Sequence, residues 1–398
     1  MRLPLLILIP AVLLCTLTDW YIYRILRDRC TRRLWPQLQL WSAVGCLVFV
    51  IVIGCMPVRS GDDTLLRAVM WMLYTYISIY LSKFIFVAID LIASIPRLWH
   101  GHRWRILSWA GALAAFVVFG AMWYGALVGR FNIRTNRIDV YSEQIPAAFD
   151  GFTIAQISDL HTGTYGTDTS FICKLVGEIN SLHPDMVVFT GDIVNRRSEE
   201  LAPFIHALGR IYAPYGVYSI LGNHDYGDYS EWPSQSAKEA NLSLLKDMQA
   251  RMGWHMLNNS HCPIALDNDT IMLIGVENVG DPPFHTYGSL AKAYPDISDP
   301  RPKILLSHNP AHWDTEIQDN KAANILLTMS GHTHAMQIML GDISPAALRY
   351  RHWGGLYTDA DGKKLYVNIG TGEVGFPARI GATPEITLFT LHHAGGQR

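Results

Sequence analysis

Residues 152–163 read Phe-Thr-Ile-Ala-Gln-Ile-Ser-Asp-Leu-His-Thr-Gly. A short, mostly apolar run, of buried-strand length, ends in a turn that carries Asp159 and His161. The same arrangement recurs along the chain. Residues 186–190 lead into Gly191-Asp192, 217–221 into Gly222-Asn223-His224-Asp225, 303–306 into Ser307-His308-Asn309-Pro310, and 325–329 into Gly331-His332-Thr333-His334. Further strand-like runs lie at 271–276, 365–369 and 386–391, with polar helical stretches at 169–182 and 237–252. The alternation predicts an α/β domain with a layered sheet core.

Strands of one sheet end side by side, so groups on their carboxyl-terminal turns converge although far apart in sequence. Asp159 and His161, like His332 and His334, are two apart, which on extended backbone puts both side chains on one side. Imidazoles and carboxylates without thiolates suit Mn, Fe or Zn, and two cations held ~3.5–4 Å apart need a bridging carboxylate. One Asp-x-His would say little; five ligand-bearing turns in order, each after an apolar run, say a great deal. The six cysteines form no Cys-x-x-Cys spacing, which leaves no thiolate metal site.

This set of motifs resembles the calcineurin-like metallophosphoesterase superfamily from about residue 150 to the end. The likeness is strongest to its membrane-attached bacterial group, through Ser-Asp-Leu-His-Thr-Gly at 158–163, His-Asn-Pro at 308–310 and Pro-Glu-Ile at 384–386. It implies an α/β/β/α sandwich and two divalent metal ions, Mn, Fe or Zn. One ion would take Asp159, His161, Asp192 and His334; the other would take Asp192, Asn223, His308 and His332, with Asp192 bridging. Two such cations acidify a shared water and neutralise phosphoryl oxygens as a phosphoester is displaced. His224 is then the group that protonates the leaving oxygen or stabilises the transition state, with Asp225 orienting it. The group's usual motif has two glycines after the second histidine of Gly-His-Thr-His, where this chain has Ala335-Met336, so two side chains are expected in the pocket wall. Arg379, after a glycine-rich stretch, is a candidate for a forked contact to a substrate phosphate. His285 and His352, in loops between strands, are candidates to line the pocket.

The first part of the chain is different in kind. Residues 1–128 carry 12 Lys and Arg against five Asp and no Glu, a charge of +7, leaving −9 on the remaining 270 residues. Apolar runs near 3–19, 38–57, 68–95 and 106–128 approach the ~20 residues that cross a bilayer core of ~30 Å. They predict an N-terminal bundle of about four transmembrane helices, a linker and domain entry over 129–149, and a soluble domain over 150–398. Lys83 and Asp90, seven apart, share one face of the third helix, where intramembrane charge is a functional hypothesis. Between helices one and two lie Arg24, Arg27, Arg29, Arg32 and Arg33, and between three and four Arg97, Arg103 and Arg105. These outnumber Arg2, Arg59, Arg67, Arg130, Arg134 and Arg137 on the other side, which makes those two loops cytoplasmic. With four spans, the soluble domain then stands outside the cytoplasm, anchored in the cell (inner) membrane.

The expected activity is hydrolysis of a phosphomonoester, phosphodiester or pyrophosphate bond by metal-activated water, near the bilayer. The resemblance suggests a lipid-linked substrate such as UDP-2,3-diacylglucosamine; the arginine distribution opposes it, because that nucleotide lipid is cytoplasmic. The alternative reading is a membrane sensor or transport component that binds a phosphorylated ligand without turnover. Nucleic acid is not an expected partner, since a polyanion is repelled by a domain of charge −9.

Overall fold

A computed structural model describes residues 5–56, 63–280, 285–320 and 323–394. The chain divides into two compact units, residues 1–127 with 375–378, and 128–374 with 379–398. Arg2 and Arg59, and the start of the first expected span, lie outside the described residues.

The described residues of the first unit form long helices α1 (Leu5–Arg29), α2 (Leu34–Cys55), α3 (Asp63–Ser94) and α4 (Arg105–Leu127). Among the described residues, three helices are long and apolar enough to cross a membrane: Leu34–Cys55, Asp63–Trp99 and Arg105–Phe131. The expected first span forms α1, which runs well past its apolar stretch. Arg24, Arg27 and Arg29 therefore lie on helix, not in the loop expected for them, and only residues 30–33 connect α1 to α2. Lys83 and Asp90 do not pair with one another. Asp19 accepts hydrogen bonds from Gln39 (2.8 Å), Tyr80 (2.6 Å) and Lys83 (2.7 Å). Fully buried Asp90 accepts from Tyr21 (2.9 Å) and pairs with Arg103. Each intramembrane charge is thus offset by an opposite charge and hydrogen bonds, the condition under which such groups persist in a bilayer. The two networks tie α1 to the neighbouring helices.

The second unit is a sandwich of two six-stranded mixed sheets. One has the order β1-β12-β2-β3-β4-β5 and the other β10-β11-β9-β8-β7-β6. The strands of the first are β1 (Arg134–Ser142), β2 (Thr153–Ile157), β3 (Met186–Phe189), β4 (Val217–Ser219), β5 (Trp254–Met256) and β12 (Glu385–His393). Those of the second are β6 (Ser260–Leu266), β7 (Asp269–Gly275), β8 (Lys303–Leu306), β9 (Ile325–Ser330), β10 (Gly355–Thr358) and β11 (Lys364–Val367). Helices α5 (Ser170–Ser181), α6 (Ile205–Leu208) and α7 (Gln235–Arg251) belong to the first half, and the one-turn α8 (Leu290–Ala293) to the second.

Alternation along the strands builds three cores. Ile154, Met186, Val188, Ile304, Leu306, Leu327 and Met329 meet between the sheets. Ala155, Ile157, Val187 and Phe189, on the opposite faces of β2 and β3, pack with Phe171, Leu175 and Ile179 of α5 and Leu245 of α7. Leu305 and Ile325 pack outward with Leu290, Trp313 and Ile317. The arrangement is the expected α/β/β/α layering. Strands buried on both faces read as continuous apolar runs, which is why β2, β3, β8 and β9 stand out in the sequence. The segment 129–149 carries β1, which pairs in parallel with β12. As an edge strand with one wet face, β1 needs few apolar residues, and only Val140 in it is buried.

Candidate metal centre

Every expected ligand sits just beyond the carboxyl end of a parallel strand: Asp159 and His161 after β2, Asp192 after β3, Asn223 after β4, His308 after β8, and His332 and His334 after β9. The turns are not on one sheet, as strand-end reasoning suggested, but are shared three to two between facing sheets. Bonds across the sandwich hold them in register. His308 Nδ1 donates to the Thr190 carbonyl at 2.7 Å, and Gln156 Nε2 donates to the Ser330 carbonyl at 2.9 Å.

Nor is the backbone at these ligands extended. Asp159 (φ 54°), His161 (46°), Asp192 (60°), His332 (75°) and His334 (51°) all occupy the left-handed region, which side chains other than glycine and asparagine rarely enter. Strain of this kind gathers where the surrounding structure imposes a geometry for chemistry. Glycines leave room for the carboxylates: a Cβ on Gly331 would collide with Asp159, and one on Gly222 with Asp192.

Two clusters result, Asp159 with His161 and His334, and Asp192 with His308 and His332, the ligand atoms of each lying within 4.8 Å of one another. His161 Nε2 and His334 Nε2 are 3.0 Å apart, and Asp159 Oδ1 is 3.2 Å from His334 Nε2. Asp192 Oδ2 lies 3.2 Å from His308 Nε2 and 3.7 Å from His161 Nε2, so one carboxylate oxygen reaches a histidine of each cluster. Asn223 Oδ1 completes the second group, 2.9 Å from His332 Nδ1 and 3.1 Å from His308 Nε2. Imidazole nitrogens and carboxylate oxygens aimed at common points, in a buried place, fit divalent cations.

The buried donors also act on one another's charge. Burial opposes the charge on Asp192 and Asp159, but His308 and His334 respectively hold their carboxyls below the usual carboxylate range. His308 runs the other way: burial pushes it down, yet Asp192 wins and raises it to about 9. His332 is pushed down to about 3 by burial and by His308, and His161 falls well below its ordinary value mainly through burial.

His224 meets the site with both main chain and ring. Its N–H donates to Asp192 Oδ1 at 2.8 Å, and its ring stands edge-on to His161 at 4.8 Å. Its Nδ1 is 2.7 Å from the Asn195 carbonyl. A carbonyl can only accept, so Nδ1 carries the proton and Nε2 is the nitrogen left to exchange one. The role expected of Asp225, orienting His224, therefore belongs to the Asn195 main chain. Asp225 instead accepts from the N–H groups of Gly222, Asp192, Ile193 and Val194 at 2.9–3.3 Å. It braces two ligand turns against each other, with its carboxyl raised to about 7 by burial and the nearby Asp192 charge.

The forked phosphate contact expected of Arg379 does not occur, because the side chain is wholly buried. Its guanidinium donates to the carbonyls of Gly372, Ala382 and Ile369, and Nη2 stands 3.2 Å from His334 Nδ1, so Arg379 backs an expected metal ligand from inside. His352 Nδ1 is engaged 3.2 Å from Asp314, and His285 is exposed, 6.2 Å from the Tyr287 ring; neither is brought to the ligand clusters. Of the pair at 335 and 336, Ala335 is buried beside Ile369 and Ala382, and only Met336 reaches solvent. Two residues passed over in the sequence do meet the site. Tyr229 stacks on His224 (4.2 Å, 17°) and Tyr350 OH is 3.4 Å from His332 Nε2. Tyr229 is six residues beyond Asn223, but nothing in its local sequence signals the contact.

A sandwich of two mixed sheets whose strand-end turns assemble paired His and carboxylate clusters around one shared aspartate is the architecture of a metal-dependent phosphoesterase. A family model described as calcineurin-like phosphoesterase matches residues 152–336, and one described as a probable calcineurin-like phosphoesterase transmembrane domain matches residues 1–130. The chain belongs to the calcineurin-like phosphoesterase family and is its membrane-attached form. It is 31% identical to an uncharacterized metallophosphoesterase, YkuE, of Bacillus subtilis over 71% of this chain and 92% of that one. It is 30% identical to a transmembrane protein with metallophosphoesterase domain from Bos taurus, over 73% of this chain and 64% of that protein. A third relative, named UDP-2,3-diacylglucosamine pyrophosphatase LpxG, of Chlamydia trachomatis, is 31% identical over 52% of this chain and 71% of its own length.

Proposed function

We propose that this protein is a membrane-anchored hydrolase that uses two divalent cations, Mn, Fe or Zn, to cleave a phosphoester or pyrophosphate bond on a lipid-linked substrate. The observation that carries the reading is the position of Asp192, one oxygen of which lies within 3.7 Å of a histidine from each cluster. Bound there, two cations supply Lewis acidity and a water of lowered pKa. The chain's own residues do the rest. Asn223 contributes a neutral oxygen, so the site stays net positive for an anionic substrate. His224, held through Nδ1, presents Nε2 to take or give a proton as the leaving oxygen departs.

The helical unit motivates a substrate at the bilayer, and the relative named for UDP-2,3-diacylglucosamine supplies the first candidate. The arginine distribution argues for an extracytoplasmic domain, on which side a different lipid-linked phosphate or pyrophosphate would be met. Full-length protein in detergent, metal-stripped and re-supplied with Mn, Zn or Fe, is assayed on p-nitrophenyl phosphate, bis-p-nitrophenyl phosphate and UDP-2,3-diacylglucosamine, beside Asp192→Asn. Metal-dependent turnover is expected, with a loss in the variant of roughly a thousandfold or more, as when a bridging ligand is removed. Equal activity of the variant and the wild type would sink the reading; metal uptake with no turnover on any of the three would move it to ligand sensing.

A further inference from the structure

We infer that Tyr229 is a positioning residue for both halves of the centre, fixing the amide of the metal ligand Asn223 and propping the ring of His224. The inference rests on the dinuclear reading given above.

Geometry comes first. After the single turn of 3₁₀ helix Asn223–Tyr226, Gly227 takes a positive φ of 74° and reverses the chain. The residues around Tyr229 are then pinned one by one. Trp232 Nε1 donates to the Gly227 carbonyl at 2.7 Å, and the Arg197 guanidinium lies 5.2 Å over the Trp232 ring. Arg197 also donates to Ser230 Oγ at 3.3 Å. Asp228 is held by Lys238 and by Tyr287 OH, the latter at 3.1 Å. With both neighbours anchored, the Tyr229 ring is delivered to a set place although it is 42% exposed.

That place touches two functional groups at once. The ring lies nearly parallel to His224, 4.2 Å away, and the phenol oxygen accepts a hydrogen bond from Asn223 Nδ2 at 2.9 Å. An asparagine amide rotates in a broad, shallow well about its last torsion. Turned over, it would present an NH₂ group to a cation, which repels it. With Nδ2 occupied by the phenol, Oδ1 is left facing His308 and His332. The stack meanwhile blocks one face of the His224 ring, whose Nδ1 is already committed to the Asn195 carbonyl. Two constraints at roughly right angles leave the imidazole one orientation.

The two contacts separate experimentally. Tyr229→Phe keeps the stack and deletes the hydrogen bond; Tyr229→Leu deletes both. Metal-stripped full-length protein in detergent is titrated with Mn²⁺ by calorimetry and electron paramagnetic resonance, alongside kcat on bis-p-nitrophenyl phosphate at saturating Mn²⁺, with Asp192→Asn as control. In wild type we expect two Mn²⁺ and a coupled two-ion spectrum. In Tyr229→Phe the second Mn²⁺ should bind roughly tenfold more weakly, the scale of one hydrogen bond to a ligand, with the first unchanged and kcat within about threefold. Tyr229→Leu should show the same weakened second site and a kcat at least tenfold lower, which Phe restores. If Tyr229→Phe takes up both ions as wild type does and Tyr229→Leu keeps wild-type kcat, the positioning role is wrong while the dinuclear site stands. If wild type binds fewer than two Mn²⁺ and Asp192→Asn changes nothing, the dinuclear reading falls and takes the inference with it.

Discussion

Glu373 is an acid in a place that disfavours its charge. Its side chain is fully buried, and Arg130 Nε lies 2.9 Å from Oε1. Burial raises its carboxyl from an ordinary 4.5 to about 7, with Arg130 and then Arg379 pulling the other way and losing. Between those two values the folded protein holds a proton that the unfolded chain has released. The associated stability is therefore fully present below pH 4.5 and is lost as pH rises through 7. Over that span the term amounts to about 3 kcal/mol. Glutamine cannot ionise but keeps the shape, so Glu373→Gln should lose this dependence. Thermal unfolding of the metal-loaded full chain at pH 5, 6, 7 and 8 should show the variant gaining on wild type as pH rises. Parallel curves for the two proteins would show that Glu373 does not titrate in this window. The same loop carries a second consequence. The Glu373 carbonyl accepts from Thr164 Oγ1, which accepts from Asn195 Nδ2, and the Asn195 carbonyl holds His224. Roles of this kind, with those of Arg379 and Asp225, were not legible in the sequence. A buried arginine and a surface one are written with the same letter, and what each donates to is decided by chain segments far away.

At the level of the element, the turn after β9 places four consecutive non-glycine residues, His334 to Gln337, in the left-handed region. Ala335 (φ 51°), Met336 (46°) and Gln337 (58°) follow His334 in the left-handed region, at a place where the resemblance to the membrane-attached group leads one to expect two glycines. Left-handed backbone costs roughly 1–2 kcal/mol per L-residue, and a β-branched side chain there costs more. Met336 is the position to test, since its side chain reaches solvent and little packing is lost with it. Met336→Gly should stabilise by about 0.5–1 kcal/mol, part of the relieved strain being offset by the greater freedom of the unfolded glycine. Met336→Val should destabilise by at least about 1 kcal/mol. Denaturant unfolding gives the order; Val as stable as Met would mean that the turn is not strained as described. The same element scale shows what sequence patterns can carry. Turns bearing ligands were legible because each is local, a few residues after a strand buried on both faces. The strands β1, β5, β6 and β10 were not. β1, β5, β6 and β10 all stand at sheet edges, where one wet face or a length of three or four residues erases the apolar run. Which sheet a turn belongs to depends on pairings between distant strands, and hence the sharing of the ligands between two sheets had no local signature.

For the whole molecule, the arginines next to the helices, and not the charge of the domain, bear on which face of the membrane the chemistry would meet. A segment of +7 is followed by 270 residues of −9, and the arginines from Arg24 on the last turns of α1 to Arg33 before α2, with those from Arg97 to Arg105, would mark one side. Positive charge in short loops is retained in the cytoplasm, whereas a long domain crosses largely regardless of its own charge. Were all four helices to span, the chain would return to the side opposite those loops before Ile133. The paired networks around Asp19 and Asp90 support the first helix as a member of the bundle, since Tyr21 and Asp19 on α1 are bound to residues of α2 and α3. If α1 did not span, the domain would change sides. Two partly exposed cysteines report the answer, Cys30 between α1 and α2 and Cys173 on α5. In variants retaining one or the other, a membrane-impermeant maleimide applied to intact cells with permeable outer layers should label Cys173, and should label Cys30 only after the inner membrane is opened. The reverse pattern would put the domain in the cytoplasm, where UDP-2,3-diacylglucosamine becomes the substrate to pursue; the expected pattern excludes that nucleotide lipid and directs the search to phosphorylated lipids of the outer face.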